Sequence, residues 1–411
     1  MSLYKNLFLR ASVSLVAVLS LACCLSCGSS NPYGIATPGS TSGFKHRIFV
    51  TNSYAGTTII LNADNDVVYG RAINTISGNK VLTLSRDSKF TLQYSNGPDV
   101  LYYIDNTIED VSGSPVALTG DIETLGILSD NATAVTASRN APMSGQSPGA
   151  VFLVDLTNRV IGSTIAVPLA RRVALNHGGT KVLAFADNTN TAYVIDTTAK
   201  TATAITDTAG VLDRPVTAIF SSDDSKAYIL SCGAECGGTQ AKVTMFDPSA
   251  NALGNSVNVD GATMGILDTS GKLYIAGSTN GNGTLQTVDT SALASGSATP
   301  STSVSISNGY HSTMAFADNN RLYVGSLHCS NATVGGVVQG CLTMYDTSGQ
   351  KAVITTTAGD ITGIQPIIGR SVVYVCQNGE LVMYDATTDA PRAQNLQIDI
   401  VGYAAAVLQI S

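Results

Sequence analysis

The fold is decided by residues 217–230, which read TAIFSSDDSKAYIL. An apolar segment, Thr217–Phe220, is followed by a polar turn and then by a second apolar segment, Ala227–Leu230. Asp, Asn, Ser and Gly close tight hairpins, because they tolerate left-handed backbone positions or hydrogen-bond within their own turn. The stretch therefore predicts two antiparallel strands joined by a short turn.

This hairpin is one copy of a repeat that runs from His46 onward. Its second strand recurs eight times, at intervals of 42 to 51 residues: Ile48–Asn52, Phe90–Tyr94, Ala134–Ala137, Val182–Phe185, Ala227–Leu230, Leu273–Ala276, Leu322–Gly325 and Val373–Cys376. A third strand then ends in an apolar residue and Asp, at Asp64, Asp105, Asp155, Asp196, Asp247, Asp289, Asp346 and Asp385. Short strands with this period indicate a β-propeller, in which each repeat forms one four-stranded antiparallel blade. Residues 46–411 are therefore expected to form a single all-β domain, with eight blades counted and seven as the alternative.

The two ends of this domain indicate how the ring closes. The first repeat begins with its second strand at His46 and has no inner strand of its own. The segment Ala404–Ile410 is an apolar strand that nothing follows in the repeat. We expect it to supply the missing inner strand of blade one, which removes two exposed sheet edges. Because the other inner strands are also apolar, burial is expected to fall from the hub of the ring to its rim.

The repeats resemble the YVTN-type β-propeller repeat proteins. Ile48–Asn52 matches the Tyr-Val-Thr-Asn-like strand of that family, Phe220–Tyr228 its Ser-Pro-Asp-Gly-Lys-like turn, and Val194–Thr198 its Val-Ile-Asp-Thr-like strand. The proline of the turn is replaced here, and seven blades are commoner in the family than eight. The resemblance implies a propeller fold and no particular reaction, since the repeats themselves are structural.

Composition limits the functions to be considered. The chain has 22 Lys and Arg against 29 Asp and Glu, a net charge of -7, which argues against a nucleic-acid or polyanion surface. It contains no Trp, which separates it from WD-type and quinoprotein propellers, and four His, which argues against a His-rich metal centre.

The N-terminal segment predicts export. A short basic segment precedes an apolar run, Ala11–Ala22, that is too short to span a bilayer as a helix. The cysteines that follow resemble the lipidation site of bacterial lipoproteins, with Cys27 as the expected lipidated residue and Cys23 as the alternative. An ordinary cleaved signal is the other interpretation. We therefore expect a signal peptide over 1–26, a flexible tether over 27–45, and a membrane-anchored lipoprotein on the periplasmic face or the cell surface.

Long loops concentrate at one end of the expected propeller. In an antiparallel blade, the loops between second and third strands share that end with the connections between blades. Four of these connections are long: Arg139–Gly149, Cys232–Gln240, His328–Gly340 and the crossing Ser291–Ser312. Long loops on a rigid scaffold often bind ligands, and tolerated insertions are the alternative.

Two of these loops contain paired cysteines. In an exported protein we expect the disulfides Cys232–Cys236 and Cys329–Cys341. The alternative is a zinc site that both pairs would form near His328. Cys376 ends an apolar strand and is expected to be a buried thiol.

Charged residues at the starts of the inner strands are the candidate ligand-binding residues, because these positions line the mouth of the central channel. They are Asp121, Arg171, Arg172, Arg214, His311 and Asp360. One interpretation is a polar pocket in which the arginines hold an anionic ligand. The alternative is a set of acid–arginine pairs that join adjacent blades and need no ligand.

No catalytic motif fits its context. Gly145–Gly149 matches G-x-S-x-G, but a nucleophile elbow needs a strand–turn–helix, and this is a Pro-containing loop. We therefore expect no cofactor, and a monomeric, non-catalytic binding or scaffold protein of the bacterial cell envelope whose long-loop rim binds a protein, peptide or glycan. Two alternatives stay open. One is a lactonase-like hydrolase at the channel mouth, with His311, Asp360 and the arginines as its groups, and the other is a quinoprotein-like redox module.

Overall fold

The computed structural model describes residues 41–330, 333–334, 337–338, 340–393 and 398–411. These residues form eight four-stranded antiparallel blades in a ring, so the expected eight-bladed, all-β propeller is confirmed. The predicted signal peptide, both candidate lipidation cysteines and most of the predicted tether lie outside the described residues. Within the described part, no helix is long and apolar enough to cross a membrane.

The strands of blades one to four are given from the ring axis outward. Blade one contains β35 (Ala404–Gln409), β1 (Arg47–Asn52), β2 (Thr57–Asn62) and β3 (Val67–Asn74). Blade two contains β4 (Asn79–Leu84), β5 (Phe90–Ser95), β6 (Val100–Asp105) and β7 (Asp110–Val111), and β8 (Val116–Ala117) also pairs with β6. Blade three contains β9 (Ile122–Ile127), β10 (Thr133–Ser138), β11 (Ala150–Asp155) and β12 (Val160–Ala166). Blade four contains β13 (Ala170–Leu175), β14 (Val182–Ala186), β15 (Ala192–Asp196) and β16 (Thr201–Ala204).

Blades five to eight follow the same order. Blade five contains β17 (Pro215–Phe220), β18 (Ala227–Ser231), β19 (Lys242–Asp247) and β20 (Ala252–Asn258). Blade six contains β21 (Met264–Leu267), β22 (Lys272–Thr279), β23 (Asn282–Asp289) and β24 (Val304–Ile306). Blade seven contains β25 (Tyr310–Ala317), β26 (Arg321–Leu327), β29 (Leu342–Asp346) and β30 (Lys351–Ile354), with β27 (Thr333–Val334) and β28 (Val337–Val338) paired in its long loop. Blade eight contains β31 (Ile361–Ile367), β32 (Val372–Gln377), β33 (Glu380–Asp385) and β34 (Ala390–Pro391). A 3-10 helix (Gly233–Cys236) and an α-helix, α1 (Thr290–Ser295), complete the described elements.

The C-terminal strand closes the ring. β35 pairs antiparallel with β1, with Ile48 opposite Gln409 and Val50 opposite Val407. It also contacts β4 and β31, the inner strands of the two neighbouring blades. The expected contribution of the last strand to blade one is therefore confirmed.

The regular recurrence of Asp along the repeat comes from hairpin capping. In seven blades the third strand ends at the predicted Asp, whose Oδ1 accepts a backbone N–H two residues later, as Asp155 does from Thr157 at 2.9 Å. In blade one the third strand ends at Asn62, and the backbone N–H of Asp64 donates to Asn62 Oδ1 at 2.8 Å. The expected end at Asp64 is therefore wrong by two residues, because Asn62 performs the same capping.

Burial peaks in the second strands. β18 is buried along its whole length, whereas the four central residues of the inner strand β17 are half-buried. The inner strands border the open channel, so the expected decrease of burial from hub to rim is wrong at the hub. The outer strand β16 is mostly exposed, as expected at the rim. Apolar layers between adjacent blades form the core, as where Phe185 of blade four packs with Phe220 of blade five.

The two ends of the ring carry different connections. We call the end with the second-to-third-strand loops and the blade-to-blade connections the loop end, and the opposite end the turn end.

The expected long crossing Ser291–Ser312 at the loop end is wrong. Asp289 caps α1 directly after the third strand of blade six, and Thr290 donates to Gly271 in a turn-end hairpin. Because β24 then returns the chain, only a short connection joins blades six and seven at the loop end.

The end of the predicted tether contacts the propeller. The backbone N–H and hydroxyl of Ser42 donate to Glu109, and the ring of Phe44 packs edge-on against Tyr69. Arg47 also pairs with the buried Glu109 at 3.1 Å. These contacts fix the point at which the chain enters blade one.

Candidate functional site

The mouth of the central channel at the loop end is a cavity of about 440 Å³. The first residues of the inner strands line it, and all eight blades contribute. The lining includes Ser53, Lys80, Glu123, Arg171, Arg172, Thr217, Met264, Tyr310, Leu327, Thr362, Tyr403 and Ala405. The cavity has the size of a small-molecule site, and its residues come from strands that the ring holds rigidly.

Two arginines and one glutamate form the charged wall of this mouth. Arg171 Nε lies 2.7 Å from Glu123 Oε1, and Arg172 Nε lies 2.9 Å from Glu123 Oε2. Burial alone would raise the pKa of Glu123, but the guanidiniums of Arg172 and Arg171 outweigh it and hold this pKa below its ordinary value. Glu123 is therefore an ionised carboxylate that joins blade three to blade four.

A β-bulge explains why two consecutive side chains reach the same carboxylate. Side chains alternate between the faces of a regular strand. The register of β13 against β14 shifts between Ala170 and Arg172, so Arg171 is the extra residue of a bulge. The bulge turns both guanidiniums toward the mouth.

Tyr310 packs against both arginines from the other side of the channel. The ring centroid lies 5.4 Å from the guanidinium carbon of Arg171 and 5.2 Å from that of Arg172. Tyr310 belongs to blade seven and the arginines to blade four, and these blades are not adjacent, so the contact crosses the mouth. The stacked ring restricts the rotamers of both arginines and adds a cation–π attraction. Burial raises the pKa of Tyr310 above its ordinary value.

The structure places three of the six predicted residues at this mouth. Arg171 and Arg172 line the cavity, and Asp121 lies beside it in an ion pair with the lining residue Lys80, at 2.8 Å. The acid–arginine pair between blades, which was the structural alternative, is also present, but Glu123 supplies its carboxylate.

The other three predicted residues lie elsewhere at the loop end. Arg214 lines a separate depression of about 330 Å³ and donates to the carbonyl oxygen of Gly237 at 3.3 Å. His311 is fully buried, with Nε2 at 2.9 Å from the carbonyl oxygen of Ser307, and burial lowers its pKa to about 4. Asp360 accepts a hydrogen bond from the backbone N–H of His328 at 2.6 Å. None of the three lines the channel cavity.

Lys80, Glu123 and Tyr310 form the ion pairs and ring contacts of the mouth arginines and of Asp121, and the sequence did not reveal them. Lys80 and Glu123 do stand near the starts of inner strands, which was the signal used for the predicted residues. Tyr310 carries no charge and would have been found only from its position beside His311. The bulges at these strand starts decide which neighbour faces the channel.

The cysteines of the long loops form the two expected disulfides, Cys232–Cys236 and Cys329–Cys341. The zinc alternative is therefore wrong, because a thiol in a disulfide cannot coordinate zinc as a thiolate. Cys376 is a buried free thiol, as expected, and burial raises its pKa. Across the described ranges, no three His, Cys, Asp or Glu side chains are grouped so that they could hold a metal ion.

One further carboxyl at the loop end has a shifted pKa. Glu235 lies in the 3-10 helix that the Cys232–Cys236 disulfide braces, and it accepts a hydrogen bond from the backbone N–H of Ser278 at 2.7 Å. Burial raises the pKa of Glu235 to about 7. The contact ties the disulfide loop of blade five to blade six.

No protein-family model and no curated protein matches this chain. Its structure is similar to that of dihydro-heme d1 dehydrogenase NirN in complex with DHE, with a TM-score of 0.64, 12% identity, and coverage of 92% of this chain and 79% of that chain. It is also similar to Kuenenia stuttgartiensis hydrazine synthase, with a TM-score of 0.55, 14% identity, and coverage of 76% and 96%. The β-propeller domain of Myceliophteria thermophila Cps50 (Swd1) matches with a TM-score of 0.50, 11% identity, and coverage of 73% and 93%. At such identities the similarity supports the propeller fold alone.

Proposed function

We propose that this chain is a membrane-anchored, non-catalytic binding protein of a bacterial cell envelope, built from YVTN-type repeats, and that it binds its ligand at the loop end. The channel mouth holds an anionic group of that ligand, which belongs to a small molecule, peptide or glycan. The observation that carries the proposal is the pair of guanidiniums that Glu123 and Tyr310 hold at the edge of a cavity of about 440 Å³.

The local charge favours an anion. The connected ion pairs that include the mouth residues contain four cations, Lys80, Arg139, Arg171 and Arg172, and three anions, Asp121, Glu123 and Asp187, with Arg139 joined to Arg171 through Asp187. The local balance is 4 - 3 = +1, in a chain whose net charge is -7. A positive site on an acidic protein attracts anions selectively, since the rest of the surface repels them.

Donors at the mouth remain available to a ligand. Among the described residues, the hydrogen bonds of Arg172 are confined to Nε, and those of Arg171 to Nε and Nη1. The remaining guanidinium N–H groups can donate charge-assisted hydrogen bonds without breaking the contact with Glu123.

Binding fits the mouth better than hydrolysis does. A hydrolase needs a side chain at the mouth that exchanges a proton near neutral pH. Glu123 is held ionised by two arginines, the imidazole of His311 is buried away from the channel, and neither Asp360 nor Glu235 lines the cavity. The predicted acid–base groups therefore do not converge on the cavity.

A pair of matched variants tests the proposal. Arg172→Gln and Glu123→Gln each remove one partner of the same ion pair, so both weaken the joint between blades three and four. For an anion site, Arg172→Gln is expected to lower the affinity for acetate about tenfold, whereas Glu123→Gln raises it, because the amide removes the competing negative charge and still offers an oxygen acceptor to the guanidiniums. Acetate binding is measured by titration calorimetry at constant ionic strength, with acetamide as the neutral control. Equal effects of the two variants, or no acetate binding by the parent, would refute an anion site.

The anchor is tested separately. Cells that express the chain are labelled with radioactive palmitate, and Cys27→Ala is compared with Cys23→Ala. Loss of label in the Cys27 variant alone is the expected result. Label retained in both variants would contradict lipidation at either position.

A further inference from the structure

The channel mouth divides into a charged half and an uncharged half. The charged lining residues come from blades two, three and four: Lys80, Glu123, Arg171 and Arg172. Blades five to eight and blade one contribute lining residues without charge. They include Thr217 and Thr362, and the apolar or aromatic residues Met264, Tyr310, Leu327, Tyr403 and Ala405. A ligand that fills the mouth therefore meets cations on one side and apolar groups on the other.

An exposed apolar patch continues the uncharged half onto the surface. Tyr54 is 75% exposed and Val401 is 85% exposed, both beside the cavity residues Ser53 and Tyr403. The rings of Tyr54 and Tyr403 lie 5.2 Å apart. Ile76, 40% exposed, adjoins the loop that carries Tyr54. We call Tyr54, Ile76, Val401 and Tyr403 the blade-one patch. Exposed apolar side chains that cluster beside a cavity are typical of a ligand surface.

The charge balance at the mouth suits a single negative charge. The ion pairs leave +1, so a monoanion neutralises the site and a phosphate dianion would leave an excess negative charge. A carboxylate is also the group that the two arginines already accommodate, since Glu123 contacts both. A guanidinium fork binds carboxylate and phosphate alike, so the charge balance is what favours a monocarboxylate over a phosphate dianion at this mouth.

We propose that the ligand is an apolar monocarboxylate, whose carboxylate lies on Arg171 and Arg172 and whose apolar body extends over Met264 and Leu327 toward the blade-one patch. This inference rests on the proposed function and adds the class of ligand to it. The same chemistry occurs in a free aromatic or aliphatic acid and in the C-terminus of a peptide that ends in an apolar residue.

Titration calorimetry of the mature lipidated protein in lipid nanodiscs tests this class, with empty nanodiscs as the blank. The probes are phenylacetate, acetate, phenylacetamide and inorganic phosphate. Phenylacetate is expected to bind about tenfold more tightly than acetate or phenylacetamide, because only phenylacetate uses both halves of the mouth. Phosphate is expected to bind no better than acetate.

The outcomes separate the two proposals. If no probe binds, the anion site itself is wrong. If acetate and phosphate bind as tightly as phenylacetate, and Arg172→Gln weakens all three, the anion site stands and the apolar monocarboxylate is overturned.

The blade-one patch is tested with two exposed positions. Tyr54→Ser is expected to weaken phenylacetate binding several-fold and to leave acetate binding unchanged. Ile368→Ser is the matched control, because Ile368 is 70% exposed in a turn-end hairpin away from the mouth. Equal phenylacetate affinity of both variants would remove the patch from the site.

A pentapeptide ending in Phe, with a free or an amidated C-terminus, distinguishes the sources. A free peptide that binds more tightly than phenylacetate supports a peptide C-terminus as the source, whereas weaker binding supports a free acid. Equal affinity of the free and amidated peptides, with phenylacetate no tighter than phenylacetamide, would contradict a carboxylate requirement.

Discussion

One carboxylate at the seam between blades eight and one bonds to three side chains of blade eight, and its loss is expected to weaken ring closure. Asp66 is 11% exposed, and its oxygens lie 2.8 Å from Arg370 Nη1 and 2.7 Å from Arg392 Nη1. Tyr374 also donates to it. Asp66 has a φ of 63°, a left-handed backbone conformation that Asn tolerates as well as Asp. Asp66→Asn therefore removes the charge with little change in the backbone.

The expected loss of stability lies between two limits. An exposed ion pair contributes about 0–1 kcal/mol, and removing one partner from a buried pair costs about 3–5 kcal/mol. Asp66 is nearly buried, while Arg370 and Arg392 are 25% and 22% exposed. We therefore expect a loss of about 2–3 kcal/mol, which lowers the Tm of a domain of this size by about 3 °C.

The pH dependence gives a second check. Burial alone would raise the pKa of Asp66, but the hydrogen bonds from Arg370 and Tyr374 outweigh it and the pKa lies below its ordinary value of 3.8. Its stabilisation is therefore complete above the unfolded pKa and is lost as the pH falls through the lower folded pKa. The gap between the parent and Asp66→Asn is expected to be constant from pH 8 to about 5 and to close only below about pH 4.

Urea denaturation at pH 7 and pH 3.5 measures both effects. Asp64→Asn is the matched control, because Asp64 lies in the same turn, is 52% exposed and pairs only with the exposed His46 among the described ion pairs. Its expected cost is below about 1 kcal/mol. Equal costs of the two variants at pH 7, or an Asp66→Asn gap that widens in acid, would refute the role given to this seam.

Three further predictions concern other parts of the ring. Deletion of residues 404–411 removes the inner strand of blade one, and circular dichroism is expected to show no cooperative unfolding transition; a normal transition would contradict closure by β35. The folded pKa of Glu235, about 7, exceeds its ordinary value of 4.5, so the stability of the parent falls as the pH rises from 4.5 to 7. Urea denaturation is expected to find Glu235→Gln about 1 kcal/mol more stable than the parent at pH 8 and equally stable at pH 4. Loss of the Cys329–Cys341 disulfide in a double Ser variant is expected to cost about 3 kcal/mol, measured as the fall in Tm relative to the oxidised parent; an unchanged Tm would show that the loop does not contribute to global stability.

The blade pattern could be predicted because it depends on local chemistry. A hairpin turn and a capping Asp act on residues within a few positions of themselves, so each repeat shows them in its own sequence. Blade one illustrates this, since Asn62 replaces Asp64 without changing the capping. Closure by β35 could be predicted because the first repeat has no inner strand of its own and the C-terminal strand belongs to no other repeat.

The composition of the mouth could not be predicted in the same way. Glu123 meets Arg171 and Arg172 from 48 and 49 positions away, and only the placement of blades three and four brings them together. The register also shifts between His311 and Thr313 at the start of β25, so alternation along the strand does not tell which residue faces the channel. Tyr310 lines the cavity there, and its neighbour His311, which the sequence favoured, is buried.

The two interpretations of the mouth arginines describe the same contacts. Glu123 joins blade three to blade four through Arg171 and Arg172, as an acid–arginine lock does. The same carboxylate, with the ring of Tyr310 across the channel, restricts the rotamers of both guanidiniums before a ligand arrives. Binding then costs less side-chain entropy, since the arginines are already ordered. The lock between the blades is therefore what preorganises the arginines, and a ligand carboxylate would add to the joint instead of replacing it.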